Sequence, residues 1–162
     1  MIDAIALRRA TPEDSAALLD LQLALDEESS FMLLEPGERD PSPGFLGEPS
    51  FRLLAMTPTE AAGYVEVEVL PYARARRTGY VVMGVRAAYG GQGLGRRLLD
   101  SATQEARTAG MARLELTVMS HNRRALGLYL SCGYQVEGLR RSALDVDGHR
   151  VDEYYMGLLL QR

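Results

Sequence analysis

VVMGVRAAYGGQGLGRRLLD, residues 81–100, decides the fold. Its first five residues are apolar and rich in valine, the composition of a buried strand. Gly90, Gly91, Gly93 and Gly95 follow. Leu94, Leu98, Leu99, Ala102 and Ala106 then recur at helical spacing until Gly110 stops the pattern. Strand, glycine loop and helix in this order aim the free N–H groups of a first helical turn at an anion. Glycine lets the backbone approach a phosphate closely and reach positive φ. Arg96 and Arg97 have the wrong sign for the helix dipole there, and the right sign for a bound diphosphate. The spacing does not fit G-x-G-x-x-G of a dinucleotide fold, and no G-x-x-x-x-G-K-[ST] is present. A glycine turn without a ligand remains the other reading.

Outward from this stretch, the chain alternates strands and helices. Residues 2–9 read as a first strand. Thr11-Pro12-Glu13-Asp14 opens a helix, with Thr11 as N-cap, Pro12 in the first position and Asp14 in the capping-box position. Ala17, Leu18, Leu21 and Leu25 continue it. Residues 35–50, EPGERDPSPGFLGEPS, read as an irregular loop. Strands are expected over 51–56 and 62–70. In the second of these Val65, Val67 and Val69 share one face, and Tyr64, Glu66 and Glu68 the other. Residues 71–77 form a basic turn, and 79–85 the most apolar strand. A strand over 111–119 and a helix over 122–132, ended by Gly133, follow. Strands 134–141 and 150–158 pair across Asp147-Gly148, a hairpin dipeptide. The class is α/β, and residues 1–162 are expected to form a single domain.

The chain has 162 residues, 46% of them hydrophobic and 25% charged, ordinary values for a globular domain. A net charge of −4 gives no global attraction for nucleic acid or an anionic membrane. Cys132 is alone, which rules out an internal disulfide and a multi-cysteine metal site. No His/Cys/Asp cluster has metal-ligand spacing, so no metal is expected. The first residues do not read as a secretory signal and no stretch has spanning length, so a cytoplasmic protein is expected.

About thirty residues past the glycine loop lies SHNRRALGLYLSCGY, residues 120–134. Its N-x-x-A-x-x-L-Y-x-x-x-G-[FY] pattern resembles the second motif of the GCN5-related N-acetyltransferase superfamily. The first motif of that family, [RQ]-x-x-G-x-[GA], is similar to Gly90-Gly91-Gln92-Gly93-Leu94-Gly95. Order and separation of the two also fit. The resemblance implies one mixed, mostly antiparallel sheet of about seven strands flanked by about four helices. It implies acetyl-CoA as cosubstrate and transfer of the acetyl group to a primary amine, on a small molecule (amino-acid-like or polyamine-like) or at a protein N-terminus. The chain departs from the pattern at Gly90, where the family usually carries Arg or Gln. By resemblance, the backbone of Met83, Gly84 and Val85 pairs with the pantetheine arm like an added strand. The amides of Gly91, Gln92, Gly93, Leu94, Gly95 and Arg96 hold the pyrophosphate, Asn122 contacts the cofactor arm, and Ala125 leaves room for it. A homodimer through the C-terminal strands is a further implication.

Amine attack on a thioester needs a neutral amine, an oxyanion donor and a proton for the leaving thiolate. Tyr129 stands where the family places a tyrosine near the sulfur; a phenol of pKa ~10 suits protonation of a thiolate whose thiol has pKa ~8.5. Packing on the apolar face with Ala125 and Leu128 is the structural alternative. Some family members carry a glutamate five residues before the motif's asparagine; that position is Thr117 here. Glu66 and Glu68, acting through water, are the candidate bases. Glu115 is a further one, and for all three a solvated sheet face is the plain alternative, as is proton loss to bulk water. His121 reads as a surface or capping residue, His149 as exposed, and Cys132 as a buried thiol. By resemblance, acceptor specificity comes from the first helices and the loop 35–50; Glu27, Glu28, Glu35 and Glu38 give that region an acidic character, which suggests a cationic amine. A non-catalytic acyl-CoA-binding module is the competing function.

Overall fold

The computed structural model describes residues 4–41 and 46–160. Residues 2 and 3 of the expected first strand and 42–45 of the expected loop lie outside them. Seven strands form one sheet in the order β1-β2-β3-β4-β5-β7-β6. They are β1 Ala6–Arg9, β2 Phe51–Met56, β3 Ala61–Val69, β4 Thr78–Val85, β5 Arg113–Met119, β6 Gln135–Val146 and β7 His149–Leu159. Every neighbouring pair is antiparallel except β4 and β5, which are parallel. A parallel pair needs a crossover, and the helix that follows the glycine loop supplies it.

Three α-helices flank the sheet among the described residues: α1 Ser15–Glu28, α2 Leu94–Thr108 and α3 Arg123–Ser131. About four were expected. The stretch after α1 stays in turns because it carries Pro36, Gly37 at φ 89° and Pro41 within a few residues. The entry to α1 keeps the expected capping box, but Pro12–Asp14 form a 3-10 turn and the α-helix itself begins at Ser15, with Asp14 as its N-cap. The Thr11 N–H donates to Asp14 Oδ2 at 2.7 Å, and Arg8 holds the same carboxylate through two bonds of 2.7 Å. The final hairpin turns at Asp147 and Gly148, both at positive φ. Its strands run longer than expected, through a bulge where Ser142 takes φ 53°.

Alternation in the strands sends side chains to two cores. On one face Val65, Val67, Val81, Leu114, Leu116 and Met156 pack under Leu94, Leu98, Leu99, Ala102 and Ala106 of α2, with Tyr129 and Leu128 of α3 against the same cluster. On the other, Leu54, Ala61 and Tyr64 pack under Leu18, Leu21 and Leu25 of α1. Tyr64 shares a face with Glu66 and Glu68, as the alternation implies, and is covered there by α1, while Glu68 stays exposed. α1 packs tightly against β4: a Cβ at Gly84 would lie 2.6 Å from Leu25 Cδ1. No helix is long and apolar enough to cross a membrane among the described residues.

Candidate active site

β4 and β5 pair at only three positions, Thr78 with Arg113, Gly79 with Leu114 and Tyr80 with Glu115. Beyond Tyr80 they separate. β4 continues to Val85 with β3 still beside it, and β5 continues to Met119 with β7 beside it. Each strand thus presents one unpaired backbone edge to a wedge-shaped gap. Met83, Gly84 and Val85 lie on one wall of it. An unpaired edge facing another at the centre of a sheet calls for an occupant that can make strand-like hydrogen bonds.

The glycine loop closes the wide end of this gap. Gly91 and Gly93 take φ 72° and 83°, which only glycine adopts without strain, and Gly93 is the residue from which α2 starts. Among the described residues no acceptor takes the N–H groups of Gly91, Gln92, Gly93, Leu94, Gly95 and Arg96. The next amide, of Arg97, donates to the Gly93 carbonyl at 3.1 Å. Six free amides on a glycine nest at a helix N-terminus form an anion site suited to a diphosphate. Gly95 also lets α2 approach α3, since a Cβ there would sit 3.0 Å from Leu128 Cδ2. The guanidinium groups of Arg96 and Arg97 are turned elsewhere, to Ser131 Oγ and to the Ile5 carbonyl.

α3 starts where β5 ends. Asn122 is its N-cap, and Asn122 Oδ1 accepts the Ala125 N–H at 3.2 Å. This fixes the amide and leaves its NH2 as the outward donor. Ala125 and Tyr129 lie one turn apart on the side of α3 that meets the core. The Tyr129 ring tilts against Tyr134 with centroids 5.8 Å apart. Burial pushes the Tyr129 phenol up to about 12, with Tyr80, Cys132 and Tyr64 adding to the rise. Tyr134 and Tyr64 are raised as well, both by burial first. The unfolded chain ionises these phenols near pH ~10 while the folded one resists, so folded stability declines as pH rises through roughly 10–12. Thermal melts at stepped alkaline pH should show the midpoint falling over this window. A flat midpoint would contradict the burial of these rings.

On the α1 face, Glu66, Glu68 and Tyr80 stand near the point of separation. Glu66 Oε2 accepts from Arg52 Nε at 2.6 Å, so its charge is already engaged. Glu68 is exposed and lies directly across from Tyr80 in the β3–β4 ladder. The Tyr80 hydroxyl shares a 2.7 Å hydrogen bond with Thr117 Oγ1, tying β4 to β5 just beyond their last backbone pair. Glu115 accepts from Arg113 at 2.9 Å. Sequence reasoning found Thr117 only as a missing glutamate and did not connect it with Tyr80; pairing across two strands has no signature in either one alone.

The acidic residues near α1 are partly used up. Glu28 accepts the Ala87 N–H at 2.8 Å and lies 3.6 Å from Arg86, and Glu38 accepts the Glu35 N–H at 2.9 Å. The buried carboxylate of Asp26 holds Arg39 through bonds of 2.6 and 2.8 Å. His121 is exposed and its ring meets that of Phe31 at 4.9 Å. Cys132 is half-buried against the main core and not fully enclosed as expected. Among the described residues no group of three or more His, Cys, Asp or Glu is set to hold a metal.

The chain has matches among known proteins. The sequence model of the acetyltransferase (GNAT) family matches residues 15–134. The chain belongs to this family. The GNAT fold extends over almost the whole chain in an acetyltransferase of the family from Streptococcus pneumoniae. That structure superposes with a TM-score of 0.88 at 26% identity, covering 97% of this chain and 99% of the other. A Salmonella typhimurium protein solved with acetyl-CoA has a TM-score of 0.83 at 20% identity over 98% and 95% of the two chains. N-alpha-acetyltransferase RimI of Mycobacterium tuberculosis is 46% identical over 74 residues, 46% of this chain and 44% of that protein. The matched stretch spans less than half the length of the curated relatives. Acetyl-CoA is the cosubstrate of GNAT acetyltransferases, and the open strand edges and six free amides fit such a ligand in hydrogen-bonding sense.

Proposed function

We propose that the chain transfers the acetyl group of acetyl-CoA to a primary amine, on a small molecule or at a protein N-terminus, by direct attack in a ternary complex. The observation that carries this reading is the separation of β4 from β5 beside six unsatisfied amides. The name of the M. tuberculosis relative supports the N-terminal acceptor. Acetyl-CoA, when bound, supplies the activated acetyl group as a thioester. The amides of Gly91 to Arg96 hold the diphosphate, and the open edges of Met83, Gly84 and Val85 hold the arm. The same edge of β4 offers N–H donors to the carbonyl oxygen as charge develops on it. The NH2 of Asn122 donates to the arm, and Ala125 keeps α3 clear of it.

Tyr129 is the proton donor to the departing sulfur. Its raised pKa keeps the phenol protonated wherever an amine is free to attack, and makes it a weaker acid than a free phenol, so the transfer relies on the placement of the hydroxyl. Glu68 serves better as proton acceptor than Glu66, since Arg52 does not engage it and Tyr80 stands directly across from it. Glu68→Gln is expected to lower kcat/KM about tenfold near neutral pH, with the loss shrinking as pH rises and the amine sheds its proton unaided. Glu66→Gln is expected to act mainly on stability. A pH–rate series on both variants checks this, and equal pH dependence in the two would remove Glu68 from the role.

The test of the function itself is release of free CoA thiol with a panel of amines, amino acids and peptides bearing free N-termini. Turnover with none of them, together with tight acetyl-CoA binding, would favour a non-catalytic acyl-CoA-binding module.

A further inference from the structure

The loop departs from the family pattern at Gly90, and backbone conformation gives no reason for a glycine there. Gly90 has φ −72° and ψ 157°, open to any residue. Gly91 and Gly93, at positive φ, have a reason that Gly90 lacks. What distinguishes Gly90 is the space beside it. A Cβ built on Gly90 would lie 3.1 Å from Arg124 Nη2 and 3.3 Å from both Arg124 Nη1 and the Ala87 carbonyl oxygen, and one on Gly91 would lie 3.6 Å from Nη2. The guanidinium of Arg124, in the first turn of α3, rests directly on the start of the anion loop.

Arg124 is exposed and, among the described residues, no carboxylate or carbonyl takes its N–H groups. Arg96 and Arg97 are committed to Ser131 and Ile5. A planar fork of donors, placed over six free amides and left without a counter-charge, is arranged for a phosphate. We propose that Arg124 is the side chain that holds the cofactor pyrophosphate in this chain, and that Gly90 is a glycine to make room for it. The positive group then reaches the anion from α3 in place of the loop. The inference rests on the acetyl-CoA reading of the site.

The test is isothermal titration of the whole protein with CoA, 3′-dephospho-CoA and pantetheine, which lacks the diphosphate. Binding of CoA by the unaltered protein serves as the control for the cofactor reading itself. Arg124→Gln is expected to weaken CoA and dephospho-CoA alike, by about tenfold, and to leave pantetheine unchanged. A second variant reads the exchange of positions. Gly90→Arg in the Arg124→Gln background should recover most of the lost affinity. The same Gly90→Arg change in the unaltered protein should lower affinity or melting temperature, because two guanidinium groups then compete for one space. Unchanged CoA affinity in Arg124→Gln would overturn the proposal. So would a loss confined to CoA and absent with dephospho-CoA, which would assign Arg124 to the 3′-phosphate. Failure of Gly90→Arg to recover affinity would overturn the exchange of roles.

Discussion

Tyr129→Phe is expected to lower kcat by roughly two to three orders of magnitude while changing the CoA dissociation constant less than about twofold. Phenylalanine keeps the ring, and with it the tilted contact on Tyr134 and the packing of α3 on the main core. Only the proton donor is lost. The pH dependence gives a second reading of the same role. With the phenol held near 12, the unaltered enzyme should show no descending limb in kcat below about pH 11. A phenol at its ordinary value would produce one near pH ~10. Stopped-time thiol release from pH 6 to 11 measures both. A Phe variant with unchanged kcat would return Tyr129 to a purely packing role.

Much of this site was legible in the sequence, for physical reasons that differ by element. The strand, glycine loop and helix of residues 81–108 were readable because local rules act there together. Apolar runs, positive-φ glycines and 3.6-residue spacing are each visible within a few residues. The capping box of Thr11 and Asp14 and the helix start at Asn122 were readable for the same reason. The fold-level separation of β4 from β5 was reachable only through resemblance to a family, since a strand that loses a partner halfway looks like any other strand. Three things stayed out of reach. Tyr80 and Thr117 meet from two strands, Arg52 occupies Glu66 from a third, and Arg124 fills the space beside Gly90 from another helix. Each depends on what lies opposite, and spacing along one chain segment carries no record of that. Gly90 was the one visible trace, a glycine where the family pattern has a long polar side chain. Tyr64 shows the same limit from the other direction. Alternation grouped it with Glu66 and Glu68, and α1 then covered it.

Asp26→Ala is expected to cost about 3 kcal/mol of folding stability, at the low end for a broken buried pair because Arg39 keeps some contact with solvent. Asp26 lies within α1, and Arg39 within the irregular stretch that follows it, so the pair ties that stretch down over the α1 face of the sheet. The same stretch carries Phe31, whose ring meets His121 just before the cap of α3. Releasing Arg39 is therefore expected to loosen this stretch, which we propose borders the acceptor, while the glycine loop, held by α2 and the other core, stays in place. Acceptor KM should rise severalfold while CoA affinity holds. Replacing both partners by apolar residues, Asp26→Leu with Arg39→Met, should recover much of the stability, because no unpaired charge remains inside. It should not recover the acceptor KM, because the tether is still gone. Urea unfolding and initial rates on the single and double variants separate the two effects. If KM returned with stability in the double variant, the pair would act through general firmness of the domain, and its hold on the acceptor wall would be refuted.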